Sequence, residues 1–205
     1  MAISKKQALS IVFTCADQYK RELLNHSLLL VCKPKTGKIY TMELIFNASN
    51  FQHLTGLKTK DFSISPSDFY DRCIDRRLTE HDILFSKDGT TPMKLQVLPM
   101  LLTRNLSANM VGDFDQRNPK LITDKLAGNI QGCMGFVRIS SGRYVPNTVL
   151  KGRTDDFAEK TDRIILIYRK CSCDMQYVEI VHVAKNINWD GIQLPDSYSY
   201  LQLPE

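Results

Sequence analysis

The chain has 205 residues, 43% of them hydrophobic, with a formal net charge of +5. This is enough apolar material to bury a core without disulfide or metal staples. It contains no run of about 18 apolar residues, which excludes a helical membrane span. The opening Met1-Ala2-Ile3-Ser4-Lys5-Lys6 leads into a stretch broken by Thr14, Asp17 and Gln18 rather than a signal-peptide core, so the expected location is cytoplasmic. The first 60 residues carry +6 and the remainder −1, an asymmetry that suits an anionic partner and equally describes a lysine-biased solvated surface.

In chain order, residues 5–25 predict an amphipathic helix. Ala8, Ile11, Val12, Cys15, Ala16, Tyr19 and Leu23 form its stripe, and Ser4 caps it. Leu28 to Lys33 and Ile39 to Phe46 are strand-like runs joined by the turn Pro34-Lys35-Thr36-Gly37-Lys38. His53, in Phe51-Gln52-His53-Leu54-Thr55-Gly56-Leu57, is then expected in a loop beyond the second strand. Ser65-Pro66-Ser67-Asp68 starts a further helix that turns Phe69, Tyr70, Cys73, Ile74 and Leu78 inward. Met93 to Leu106 is apolar, but Pro99 argues against a regular helix there. Cys133–Ile139, Arg143–Leu150, Arg163–Arg169 and Met175–Ala184 are rich in Val, Ile and Tyr, and consecutive strands without helices between them predict an antiparallel sheet. Residues 1–205 are expected to form one α+β domain with its core at about 10–185 and an irregular tail at 186–205.

Four of the six cysteines, Cys15, Cys32, Cys73 and Cys133, sit in apolar stretches as small hydrophobes. Cys171-Ser172-Cys173 lacks the usual zinc-ligand spacer and a second ligand pair, so the expectation is a reduced chain with no metal and no cofactor. No nucleophile elbow, zinc-helix motif or Walker loop is present. What remains is acid–base chemistry without a metal, or plain binding.

His53 is the leading proton-transfer candidate, because an imidazole titrates near neutral pH. The competing reading is a histidine satisfied by backbone groups. His26 is expected to end the first helix, His81 to lie in an acidic turn and His182 to alternate within a strand. The segment Gly142 to Lys151 supplies Arg143, Asn147, Thr148 and Lys151, followed by Arg153. It reads as a phosphate clamp or as an ordinary strand exit. Arg169 and Lys170, at a predicted strand end, extend such a clamp, and Lys94 is a further cation near a segment boundary.

The ordered motifs Phe51 to Leu57, Asp68-Phe69-Tyr70, Met134-Gly135-Phe136 and Tyr144-Val145-Pro146-Asn147-Thr148 together resemble a phage-associated nuclease group of the Barnase–EndoU–colicin–RelE-like fold, its fourth phage-linked group. The resemblance covers about residues 10 to 185. It implies an α+β domain with N-terminal helices followed by a twisted antiparallel sheet of four or more strands. It also implies a metal-independent endoribonuclease acting as a toxin or in phage and mobile-element conflict. The expected partners are RNA, as tRNA or mRNA, and an antitoxin or immunity protein, with no membrane. On this reading His53, Thr55, Thr148, Lys151 and Lys170 are catalytic, and Asn147, Arg143, Arg153, Arg169 and Lys94 bind substrate, with His182, Tyr144 or Tyr168 as a second proton-transfer group. The alternatives are a catalytically inactive module of a mobile element that binds RNA or a protein with the same basic surface, and a regulatory or interaction protein acting through the aromatic tail around Trp189 and Tyr198.

Overall fold

Ser4 caps the first helix as its position predicts. In the computed structural model, which describes residues 3–115 and 121–204, the Ser4 hydroxyl accepts from the Gln7 amide at 3.2 Å, and the Gln7 side chain accepts from the Ser4 amide at 2.9 Å. Met1 and Ala2 of the opening stretch and Glu205 of the tail lie outside the described residues. Helix α1 (Lys5–Glu22) buries Ala8, Leu9, Val12, Cys15, Ala16 and Tyr19. Next come the antiparallel hairpin β1 (His26–Lys33) and β2 (Tyr40–Ile45), then α2 (Ala48–Thr55), β3 (Leu57–Thr59), α3 (Pro66–Ile74), β4 (Ile83–Phe85) and α4 (Thr91–Leu101). The later elements are β5 (Met110–Phe114), β6 (Lys125–Gly128), β7 (Gly132–Arg138), β8 (Tyr144–Lys151), the short α5 (Thr154–Phe157), β9 (Ala158–Cys171) and β10 (Glu179–Val183).

The expected open antiparallel sheet preceded by helices is not what forms. Seven strands close into a mixed barrel in the order β1-β2-β8-β7-β6-β5-β9, with β9 pairing back onto β1. Helices are interleaved with the strands, and β3 and β4 make a separate small ribbon. The long β9 uses its first half against β5 and its second half against β10. Local antiparallel pairing of neighbouring strands was legible, but closure depends on pairs remote in sequence, such as Leu28 with Arg169 and Leu44 with Tyr144. No local pattern reports such pairs. The second of them is parallel, and it is the single residue pair joining β2 to β8. The barrel therefore has a seam.

Strand β1 is buried on both faces. Leu28, Leu30 and Cys32 join the main core with α1 to α4, while Leu29 and Val31 pack with Tyr168, Tyr177 and the C-terminal tail. This explains its unbroken apolar run, which belongs to a strand covered on both sides rather than to an alternating one. Most of the tail has no regular structure, and it lays Trp189, Leu194 and Leu201 over that outer face.

Two local expectations are corrected. His53 lies on a helix, not in a loop. Asn47 starts α2, its amide donating to the Asn50 side chain at 3.0 Å, and its carbonyl accepts from the Tyr19 hydroxyl at 2.9 Å. Phe51 then anchors the helix against Tyr19 and Tyr70, with ring centroids 5.3 Å away in each case. Pro99 also sits inside α4. It lies in the last turn, where the missing amide removes one bond, and burial of Leu95, Val97, Leu98 and Leu101 offsets that loss.

Candidate active site

The seam is where side chains with unspent chemistry gather. Past the Leu44–Tyr144 pair, β2 and β8 part, and α2 and α4 pack along the rest of β8. A pocket of about 610 Å³ opens there, lined by Lys94 and Asp88 from the α4 region and by Thr148 and Lys151 from β8. Met93, Leu150 and Phe157 give it an apolar wall.

A β-bulge aims Thr148. Gly135 pairs with Thr148 and Phe136 with Pro146, which leaves Asn147 as the extra residue. Gly135 is needed here because a Cβ would come within 2.7 Å of the Thr148 methyl and 2.9 Å of the Thr123 methyl. The Thr148 residue is only 3% exposed, and its hydroxyl has no hydrogen-bond partner. A buried hydroxyl left unpaired costs about 1–3 kcal/mol, so its retention calls for an explanation. Asn147 is occupied: it accepts from the Thr123 hydroxyl at 3.2 Å and donates to the Ile122 carbonyl.

The last turn of α2 is locked onto α4. Gly56 ends the helix in the left-handed region at φ +68°, and a Cβ there would lie 2.9 Å from the Lys94 side chain. The Thr91 hydroxyl donates to the Gly56 carbonyl at 2.7 Å, and the Lys94 ammonium donates to the His53 carbonyl at 3.2 Å. His53 thus projects from the turn that Lys94 caps. Partial burial, and secondarily the Lys94 charge, hold its pKa below the ordinary imidazole value of 6.5. Burial also pulls Lys94 below 10.5, opposed by Asp88. Asp88 itself is held low by the amide and hydroxyl of Thr90, at 3.0 and 2.8 Å. The result is a neutral imidazole beside a weakened ammonium, a pair in which one group accepts a proton and the other yields one.

The remaining sequence-named residues have other surroundings. Thr55 is fully buried, its hydroxyl donating to the Gln52 carbonyl at 2.8 Å and accepting from the Leu57 amide at 3.0 Å, so it shapes the helix end. The Lys151 ammonium reaches the Gln96 side chain at 2.7 Å and stays exposed on the pocket rim. Arg143 lies at the opposite end of β8, bonded to Ser141 at 3.1 Å. Arg153 forms a bidentate pair with Asp155 at 3.1 and 2.8 Å. Lys170 donates to the Met175 carbonyl at 3.3 Å and sits over the Tyr177 ring. Arg169 and Lys170 belong to β9, which does not adjoin β8.

Arg169 instead enters a charge network that the sequence did not reveal. It donates to His26 Nε2 at 2.9 Å and to Glu179 at 3.0 Å, while Arg104 bridges Glu179 at 3.3 Å and Glu22 at 3.6 Å. His26 opens β1 rather than ending a helix, and its Nδ1 donates to the Leu24 carbonyl at 2.9 Å, which fixes the tautomer. Tyr168 donates to the Gln202 carbonyl at 2.6 Å. His182 is half-buried on β10, with no partner for its Nε2.

Asp88, Thr90 and Phe157 were not singled out from the sequence. No motif connects Asp88 with Phe157; only the approach of α4 and α5 to β8 does. Among the described residues, one group of Cys, His, Asp and Glu has donor atoms close enough to share a metal: Cys171, Cys173 and Asp174, all within 4.8 Å. Three donors from one turn fall short of the four of a structural zinc site. A second concavity, of about 500 Å³, gathers Lys33, Lys35 and Arg163 but no histidine, and its Asp162 accepts from the Tyr40 hydroxyl at 2.8 Å. Among the described residues no helix is long and apolar enough to cross a membrane.

Comparison with protein families matches residues 11–186 to the family described as phage-Barnase-EndoU-ColicinE5/D-RelE like nuclease4. Comparisons with curated proteins and with solved structures give no match.

Proposed function

The chain belongs to this nuclease family, and on that premise we propose that it is a metal-independent endoribonuclease whose site is the seam pocket. The observation that carries the reading is the buried, unpartnered hydroxyl of Thr148 in a pocket that also holds two lysines. A phosphodiester oxygen satisfies that hydroxyl, and the lysines balance its charge.

In this mechanism neutral His53 takes the proton of the ribose 2′-hydroxyl. The 2′-oxygen attacks phosphorus, and the added negative charge is held by Lys151 and the Thr148 hydroxyl. Lys94, with its weakened hold on its proton, protonates the departing 5′-oxygen. The products are a 2′,3′-cyclic phosphate and a 5′-hydroxyl. Lys94 thus fills the second proton-transfer role for which His182, Tyr144 and Tyr168 were the sequence candidates. The directions of the two pKa shifts fit the assignment, since the base must be neutral and the acid willing near pH 7. The reading also casts the protein as an RNA-directed agent of phage or mobile-element conflict, countered by an antitoxin or immunity protein.

The test is cleavage of mixed cellular RNA in the presence of a chelator, with products analysed for cyclic phosphate ends. Wild type is expected to cut RNA and to spare a strand with 2′-deoxyribose at the scissile position. RNA left intact at high enzyme concentration removes the ribonuclease reading and leaves RNA or protein binding as the function. Equal cutting by wild type and His53→Ala keeps the reaction but removes this pocket as its site.

A further inference from the structure

Cysteine burial divides the six thiols sharply. Cys15, Cys32, Cys73 and Cys133 are fully buried, and desolvation pushes the thiols of Cys15, Cys32 and Cys133 up to about 12. Thiols in such surroundings are inert. Cys171 and Cys173 are the exceptions. Cys171 closes β9 opposite His26 and is half-buried, while Cys173 is exposed in the connection to β10. Their sulfurs lie 2.8 Å apart, the Cys173 thiol donating to Cys171.

The backbone sets this approach. The Ser172 amide donates to the Asn25 carbonyl at 2.8 Å, and the Asp174 amide to the Cys171 carbonyl at 3.0 Å. The Lys170 ammonium reaches across the same connection to the Met175 carbonyl at 3.3 Å. Two residues flanking Ser172 are therefore held with both sulfurs on one side of the turn. The hydrogen bond from Cys173 draws the Cys171 thiol below its ordinary value, which makes Cys171 the readier thiolate.

We propose that Cys171 and Cys173 form a reversible dithiol–disulfide centre, oxidised by a small disulfide of the glutathione class. The Cys171 thiolate attacks one sulfur of the oxidant, forming a mixed disulfide and expelling a glutathione thiolate. Cys173 loses its proton to solvent, and its sulfur attacks the Cys171 sulfur. That closes the intramolecular bond and expels the second glutathione thiolate. The protein loses two electrons and two protons, and the oxidant is reduced by two electrons to two thiols. The closed loop spans only Cys171 to Cys173, so the bond restrains the unfolded chain little and serves as a switch rather than a staple. Its exposure keeps it within reach of reductants. Closure would reshape a connection that exposes Met175 at 93% and Val178 at 80%, changing the apolar surface offered there. The centre is independent of the seam pocket, which uses other elements.

The test is equilibration of the full-length chain in buffers of stepped reduced-to-oxidised glutathione ratio, followed by alkylation and peptide mass measurement. The expected result at oxidising ratios is a peptide holding both residues, lighter by two hydrogens, unalkylated and restored by dithiothreitol. Cys171→Ser should instead accumulate a glutathione adduct on Cys173 that wild type does not retain. The variant replaces a half-buried thiol, and circular dichroism checks its folding. Free alkylation of both thiols at every ratio overturns the proposal, as does wild type stopping at a stable mixed disulfide. Protection that needs added zinc and vanishes with chelator assigns the pair, with Asp174, to metal binding and overturns it as well.

Discussion

The seam pocket and the charge network around Arg169 use the same side-chain types to opposite ends. Around Arg169, a histidine, two arginines and two glutamates are bonded to one another, with only Arg169 Nε left unpartnered, joining the end of α1, the start of β1, the end of β9 and the start of β10. At the seam, two lysines and a buried hydroxyl line a pocket with His53 beside Lys94, and the hydroxyl has no partner at all. Paired charges hold a fold together, whereas a buried group left unsatisfied beside a pocket calls for a partner that the fold itself does not supply. Residue type alone does not separate the two. Partners do.

The strongest way to break this contrast is to remove one histidine from each region. His53→Ala should lower kcat/KM on RNA by about 10²–10⁴-fold, the usual range for a proton-transfer group. His26→Ala should leave turnover within about threefold of wild type, because its loss removes a structural bond rather than a reacting group. A reversed result would move the site to the Arg169 network. Thr148→Val is next, with an expected loss of about 10²-fold in kcat, at the lower end for a donor to a developing oxyanion. Its melting temperature should hold or rise, since the removed hydroxyl had no partner to lose. A fall in activity matched by a fall in stability would make Thr148 merely structural.

The pH dependence of kcat/KM sharpens the seam assignment. Neutral His53 is the active form, so the rate should climb tenfold per pH unit on the acid side and level off at a midpoint below 6.5. Protonated Lys94 is required as the acid, so the rate should fall again at a midpoint below 10.5. In Lys94→Arg the alkaline limb should vanish, because a guanidinium does not titrate in that range. Glu179→Ala should do the reverse of Thr148→Val. It leaves Arg169, with 13% side-chain exposure, short of its carboxylate, and should destabilise the fold by about 1–2 kcal/mol with turnover unchanged, as read by urea denaturation. The smallest effect belongs to Arg153→Ala, which removes an exposed cation already paired with Asp155 and should alter neither rate nor melting temperature measurably.

Local chemistry was legible in the sequence, and remote pairing was not. The Ser4 cap, the α1 stripe, the Ser65 start of α3 and most of the strands followed from periodicity and capping residues. The short strands β3, β4, β5 and β6 did not, the last two carrying Gly112 and Gly128 where a packing side chain would mark them. Of the residues singled out for chemistry, Lys94, Thr148 and Lys151 line one pocket with His53 beside Lys94. Arg169 and Lys170 face other partners because β9 lies on a different part of the barrel.

By itself the sequence determined α1, α3, the hairpin, the apolar strands and the family, since each rests on residues close together or on motifs in fixed order. Only the tertiary structure decided that the sheet closes into a barrel with a parallel seam, that His53 rides a helix capped by Lys94, and that Thr148 keeps a hydroxyl without a partner. The reason is physical. Propensity and periodicity act over a few residues, whereas closure and desolvation depend on segments a hundred residues apart meeting in space.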